Sequence, residues 1–172
     1  MSTNTPIPAS RLRMSYCYGG TALYEPGEVL GPRLLTDFEA ILIIDGFPRY
    51  ETPEGSQILE PGSIQVARPG AQETYYWDAK ARTRHAYLHF ELETIPNDWP
   101  DPADWPKWQL HPPPILGQLL RHIIDRAIHH PNWPAQQPGA SDNRLMEAFL
   151  DLYLSGEDAR GITQPRFLSE PV

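Results

Sequence analysis

The 172-residue chain has a single cysteine, Cys17. A lone thiol excludes an internal disulfide framework and leaves no paired thiolates for a structural zinc site, a usage that suits a reducing compartment. Cys17 itself is expected to be an inert packing residue. Basic side chains are also scarce, 14 against 22 acidic, for a net charge of -8. That balance works against a direct grip on phosphate backbones, so any DNA contact should belong to another domain. No apolar run approaches the roughly 20 residues of a membrane span, and the opening MSTNTPIPASRLR has no hydrophobic signal core. A soluble, cytoplasmic chain with no membrane partner is the expectation. The sequence has no GxSxG elbow, no phosphate-cradling glycine pattern and no HxH pair. Nucleophilic catalysis, cofactors and a metal centre are accordingly not expected.

Turn residues, by contrast, are plentiful: 20 prolines and 12 glycines, without a repeat. Between Tyr16 and Glu93 short apolar stretches alternate with Gly19-Gly20, Glu25-Pro26-Gly27, Gly31-Pro32, Asp45-Gly46, Pro53-Glu54-Gly55, Pro61-Gly62 and Pro69-Gly70. That cadence predicts short strands in a sandwich or barrel. Phe38 to Ile44, FEAILII, is almost continuously apolar, which predicts a central strand covered on both faces. Arg49-Tyr50-Glu51 and Gln57-Ile58-Leu59 are expected to form a hairpin around Pro53-Glu54-Gly55, with further strands over Ser63 to Ala67, Gln72 to Trp77 and Arg82 to Leu92.

The periodicity then changes. Residues 95–114 carry enough proline to block a helix or central strand, and Trp99, Trp105 and Trp108 should hold this connector against the body. Ile115, Leu119, Ile123 and Ala127, with Leu116 and Ile124, follow helical spacing up to Pro131. A second helix is expected from Ser141, as N-cap, to Gly156. Its apolar residues span more than one stripe, so Leu145, Phe149 and Leu152 can either build a homodimer seam or be buried within the monomer. The expected division is a flexible arm over 1–13, a β-barrel over 14–94, the connector over 95–114, a helical dimerisation segment over 115–156, and a tail or linker over 157–172.

The best-patterned polar set lies on the strand from Arg82 to Leu92. Strand alternation puts His85, Tyr87, His89 and Glu91 on one face and Ala86, Leu88 and Phe90 on the other. Hydrophobicity alone would turn Leu88 and Phe90 inward and leave the histidines outside. A strand whose second face is covered by helices permits the opposite. His85, Tyr87 and His89 would then line a cavity with Glu73, Tyr75 and Trp77 of the neighbouring strand, a lining suited to a small polar or amphipathic ligand. His85 and His89 are about 13 Å apart along a strand, too far to share an ion without a bulge. Glu73 with His85 could also perform acid–base work, but a structural or ligand-contact role is the preferred reading.

Ile43-Ile44-Asp45-Gly46 with the Arg49 hairpin, Glu60-Pro61-Gly62-Ser63-Ile64, Arg68-Pro69-Gly70 and His85-Ala86-Tyr87-Leu88-His89-Phe90 together resemble, in order and spacing, the N-terminal cupin-type sensor domain of AraC-type transcription regulators. The resemblance extends more weakly to about Gly156. It implies a mainly β fold, a double-stranded β-helix or jelly roll, followed by two C-terminal α-helices used for dimerisation. It also implies a small effector, such as a sugar or other polar metabolite, bound inside the barrel under the N-terminal arm. Tyr75, His85 and Tyr87 align with pocket contacts, and Arg33 with a charged contact after a shift of about two residues. Two departures stand out. Glu73 sits near the usual position of a metal-binding histidine, and the chain stops short of the family's DNA-binding helix-turn-helix pair. A cupin enzyme acting on a small polar substrate and a stand-alone carbohydrate-binding jelly roll are the alternatives.

Overall fold

A computed structural model describes residues 9–129 and 137–156 of the chain. Nine strands precede or accompany the connector: β1 (Arg13–Tyr24), β2 (Val29–Leu34), β3 (Phe38–Asp45), β4 (Arg49–Thr52), β5 (Gly55–Ile58), β6 (Ile64–Ala67), β7 (Gln72–Tyr76), β8 (Thr83–Thr94) and β9 (Trp108–Gln109). They form a five-stranded sheet, β1-β8-β3-β6-β9, opposite a four-stranded sheet, β2-β7-β4-β5. Every pairing is antiparallel, and the partners run β1 with β8, β2 with β7, β3 with β6 and β4 with β5. The body is thus one long hairpin whose two arms wind around each other, the strand order of a jelly roll. Helices α1 (Pro114–Ile128) and α2 (Ala140–Ser155) follow. The mainly β jelly roll with two C-terminal helices is therefore the architecture observed.

The turns form where the sequence supplies residues able to make them. Gly46 has φ of +87°, and Gly70 has φ of +84° in the turn between β6 and β7. Both lie in the left-handed region that glycine alone enters freely. β3 takes the central place expected of FEAILII, between β8 and β6.

The five-stranded sheet has two interiors, one on each face. Phe38, Ala40 and Leu42 of β3, Ile64 and Val66 of β6, and Ala86, Leu88 and Phe90 of β8 join the helices in one core. Ile41 and Ile43 face the other way, into the barrel, with Tyr50, Leu59, Tyr75 and Trp77. Leu88 and Phe90 are fully buried, each adding about 1.5–3 kcal/mol of hydrophobic stabilisation beneath the helices. Their burial against the helical layer leaves the opposite face of β8 to the barrel.

Local details differ from the sequence expectation for packing reasons. In α1 the buried stripe is Leu116, Leu120, Ile123, Ile124 and Ala127, whereas Ile115 is 53% exposed and Leu119 is half-buried. The helix is rotated so that Leu120 takes the inward place assigned to Leu119. Its expected stop, Pro131, lies outside the described residues. α2 begins earlier than Ser141: Gly139 is its N-cap, and the Asp142 carboxylate accepts the Gly139 N–H at 2.9 Å. Gly156, with φ of +64°, ends it as expected.

The arm expected over 1–13 is docked at its end. Ser10 Oγ donates to Glu147 at 2.6 Å, Leu12 is fully buried, and β1 already begins at Arg13. The rest of that arm, residues 1–8, and the tail over 157–172 lie outside the described residues. The connector contains a short 3-10 turn (Pro102–Asp104) and β9, with Trp105 buried against the helix-side core. Phe149 is fully buried in this chain's own core with Met146, Leu150 and Tyr153, while Leu145 and Leu152 pack partly buried at its border. The apolar row assigned to a dimer seam is, at Phe149, used inside the protomer.

Candidate functional site

Strand alternation places the polar residues of several strands in the barrel. Arg33 on β2 is paired in register with Glu73 on β7, and its guanidinium reaches both the Glu73 carboxylate and that of Glu39 on the opposite sheet. Glu73 Oε2 accepts the Tyr50 hydroxyl at 3.0 Å and Gln65 Nε2 at 3.2 Å, while Gln65 Oε1 accepts the Tyr75 hydroxyl. On the other side, His89 lies 3.2 Å from Glu39 through Nε2 and 3.0 Å from Asp37 through Nδ1, and Asp37 accepts the Tyr16 hydroxyl at 2.8 Å. One connected polar network thus crosses the barrel between its two sheets.

The electrostatics follow from burial and pairing. Burial raises the pKa of Glu73 above the ordinary carboxylate value, with Arg33 opposing. Burial pushes Glu39 the same way, but its bonds to His89 and Arg33 prevail and lower its pKa. Burial disfavours the charged form of His89, yet Glu39 and Asp37 outweigh it and raise its pKa. Tyr75 is fully buried, and its hydroxyl is held well above its usual pKa by desolvation.

A second interior feature is aromatic. Trp77 stacks on Tyr75 at 5.0 Å, on Tyr24 at 4.2 Å and on His85 at 4.9 Å. Burial lowers the His85 pKa to about 4, so its ring is neutral near pH 7. Tyr87 continues the face, its ring 5.9 Å from both His85 and His89. Gly20, opposite Tyr87 on β1, makes room for it: a Cβ there would lie 2.9 Å from the tyrosine oxygen.

The residues expected to line a pocket, Arg33, Glu73, Tyr75, Trp77, His85, Tyr87 and His89, therefore share the barrel interior but form two groups. Arg33, Glu73, Tyr75 and His89 belong to the polar network; Trp77, His85 and Tyr87 belong to the aromatic stack, which Tyr75 also joins. Glu73 is bonded to Arg33, Tyr50 and Gln65, whereas His85 lies among rings, so the contacts do not build the pair considered for acid–base work. Among the described residues no three His, Cys, Asp or Glu side chains converge as metal ligands.

Space for a ligand opens beside these groups. A cleft of about 350 Å³ lies between β4, β6, the β6–β7 turn and the connector, and its lining includes Tyr50, Gln65, Arg68, Trp105 and Lys107. Tyr50 and Gln65 are the two side chains that, with Arg33, hold Glu73, so the cleft touches the end of the network. Lys107 Nζ pairs with Glu54 at 2.7 Å across the lining. The connector side is tied to α2: Tyr153 Oη donates to Pro106 O at 2.8 Å and accepts the Val66 N–H at 3.3 Å.

Sequence reasoning missed Tyr50, Gln65, Glu39, Asp37 and Arg68 as site residues. Gln65 and Glu39 left a signal, each being a polar residue within a buried strand. Tyr50 was legible only as a hairpin arm.

The strand order is that of a jelly roll, a class of double-sheet barrels that includes the cupins. Searches of protein-family models and of curated proteins find no match. Solved structures with similar parts include a cupin-like protein from Thermotoga maritima, at 12% identity and a TM-score of 0.42, covering 49% of this chain and 74% of that one. A Cupin 2 conserved barrel domain protein from Salinispora arenicola matches at 12% identity and a TM-score of 0.41, over 51% of this chain and 71% of the other. The polyketide cyclase RemF from Streptomyces resistomycificus matches at 12% identity and a TM-score of 0.41, over 51% of this chain and 64% of that chain. No helix among the described residues is long and apolar enough to cross a membrane.

Proposed function

We propose that this chain is the effector-binding domain of an AraC-type transcription regulator, a small-molecule sensor without catalytic activity that dimerises through its helices and reaches DNA only through another domain. The observation that carries the reading is the cleft against Tyr50 and Gln65. A molecule seated there meets two side chains already bonded to buried Glu73, so its binding would bias a network that reaches the opposite sheet. The ordered series of turns and the β8 pattern support the family. The bonds of Tyr153 to β6 and the connector support a route from the cleft to α2.

The test is a calorimetric screen of the purified chain against sugars, polyols, aliphatic acids and aromatic acids. A saturable ligand whose affinity falls at least tenfold on Gln65→Leu, in a variant that remains folded by circular dichroism, supports the reading. A folded chain that binds none of these classes overturns it.

A further inference from the structure

Arg68 stands apart from the other charged residues around the cleft. Lys107 is neutralised by Glu54, but Arg68 has no carboxylate within salt-bridge distance among the described residues. Its guanidinium is nevertheless fixed, because Nη1 donates to the carbonyls of Pro102, at 3.3 Å, and Ala103. Two neutral acceptors orient the group without cancelling its charge. The β6–β7 turn that carries it is itself tied down: the Gly70 N–H donates to Leu35 O at 2.8 Å and the Ala71 N–H to Arg68 O at 3.1 Å. In a chain of net charge -8, an oriented and unneutralised guanidinium on a cleft wall is a selective feature.

The rest of the lining supplies complementary chemistry. Trp105 is buried, its indole N–H already given to Pro100 O at 3.0 Å, so its ring offers only apolar surface. Pro53, Pro69 and Val66 add further apolar area. Tyr50 donates its hydroxyl proton, and Gln65 its amide, to Glu73. These floor groups are therefore poorly placed to satisfy the many hydroxyls of a sugar, each of which would need a partner when buried. Thr52 and Lys107, also in the lining, both donate to Glu54, and Gln72 adds one further polar side chain. A single unneutralised cation beside the apolar surface of Trp105, Pro53, Pro69 and Val66 instead matches a ligand with one charged end and a hydrocarbon body.

We infer that the cleft binds a small organic monocarboxylate, its carboxylate paired with Arg68 and its apolar body against Trp105. This rests on the cleft being the ligand site of the sensor proposed above. It also gives a role to the Arg68-Pro69-Gly70 turn: proline and glycine set the bend that presents the guanidinium to the cleft.

The experiment titrates the full 172-residue chain, labelled with ¹⁵N, with hexanoate, benzoate and phenylacetate, each paired with its primary amide, and with glucose and arabinose as neutral polyhydroxyl probes. At least one acid is expected to saturate, to move the Trp105 indole resonance, and to bind tenfold or more tightly than its amide. Arg68→Gln should weaken that acid at least tenfold, and Arg68→Lys, which keeps the charge but loses the fork, should fall between. Equal binding of acid and amide, or an unchanged affinity in a folded Arg68→Gln variant, overturns the inference. If a sugar saturates the cleft and the acids do not, the inference fails while the sensor reading stands. If no probe binds, both fail.

Discussion

Trp77 and His85 stack 9° from parallel, and each buries a ring nitrogen that has no hydrogen-bond partner among the described residues, Nε1 in the tryptophan and Nδ1 in the histidine. Burial at this position favours the neutral imidazole. Unfolded, His85 takes a proton near its ordinary value of 6.5; folded, it resists protonation down to about 4. Its contribution is thus fully present above pH 6.5 and is lost as pH falls through 4, a total of about 3 kcal/mol. His89 acts in the opposite sense: its raised pKa gives stability that is present below the ordinary histidine range and lost as pH rises through the folded value.

His85→Phe keeps the stack and removes the titration. We expect its unfolding free energy to fall less steeply than wild type between pH 6.5 and 4.5. Urea denaturation across that window checks this, and parallel slopes for the two proteins would refute it. Because His89 is common to both proteins, the difference isolates His85.

Among the described residues Arg33 is the only cation bonded to both Glu39 and Glu73, and both carboxylates are buried. Arg33→Met should cost about 3–5 kcal/mol by leaving them without their shared cation. Adding Glu73→Gln should recover part of that loss. Denaturant midpoints of the single and double variants decide the point; strict additivity would mean that the two residues do not share an interaction.

Gly31 combines φ of +117° with a crowded site, where an added Cβ would lie 2.7 Å from the Glu73 carbonyl oxygen. Gly31→Ala is expected to cost more than about 1 kcal/mol and to disturb the β2–β7 register that positions Arg33. Gly27→Ala is the control, since Gly27 also has positive φ but no described residue within 4 Å of its Cβ position. Thermal unfolding should rank Gly31→Ala as the more damaging change.

Tyr153→Phe removes a buried hydroxyl shared between Val66 and Pro106. A loss of about 1–2 kcal/mol is expected, because the Pro106 carbonyl is left without that donor. Hydrogen exchange should quicken more at the Val66 amide than at Leu42 on the neighbouring strand. A uniform change at both would reflect global destabilisation alone.

Much of this fold was legible because turn chemistry and strand alternation are local. FEAILII announced a strand covered twice, and the contrast between His85 and Leu88 announced two different environments. Which environment was which depended on the helices, whose packing on the Leu88 face is a contact across the chain. The site was less legible for the same reason. Glu39 and Gln65 were visible as polar residues in buried runs, but their partners Arg33, Tyr75 and Glu73 come from other strands. Arg68 read as part of a turn, and only the return of the connector past Pro102 turns it into a wall of a cleft. In α2, apolar residues on several faces left two uses for Phe149, and intramolecular packing takes it.

Because neighbouring residues of β3 serve opposite interiors, that strand has almost no tolerance for a change in length. One residue inserted between Ala40 and Leu42 would turn the following side chains over, sending Leu42 into the barrel and Ile43 against the helices. The exposed loop at 79–82 is, by contrast, where natural or engineered insertions should be absorbed, since it belongs to neither core and does not line the cleft. Sequence drift in such a protein should therefore accumulate as length variation at that loop and as like-for-like substitution along β3.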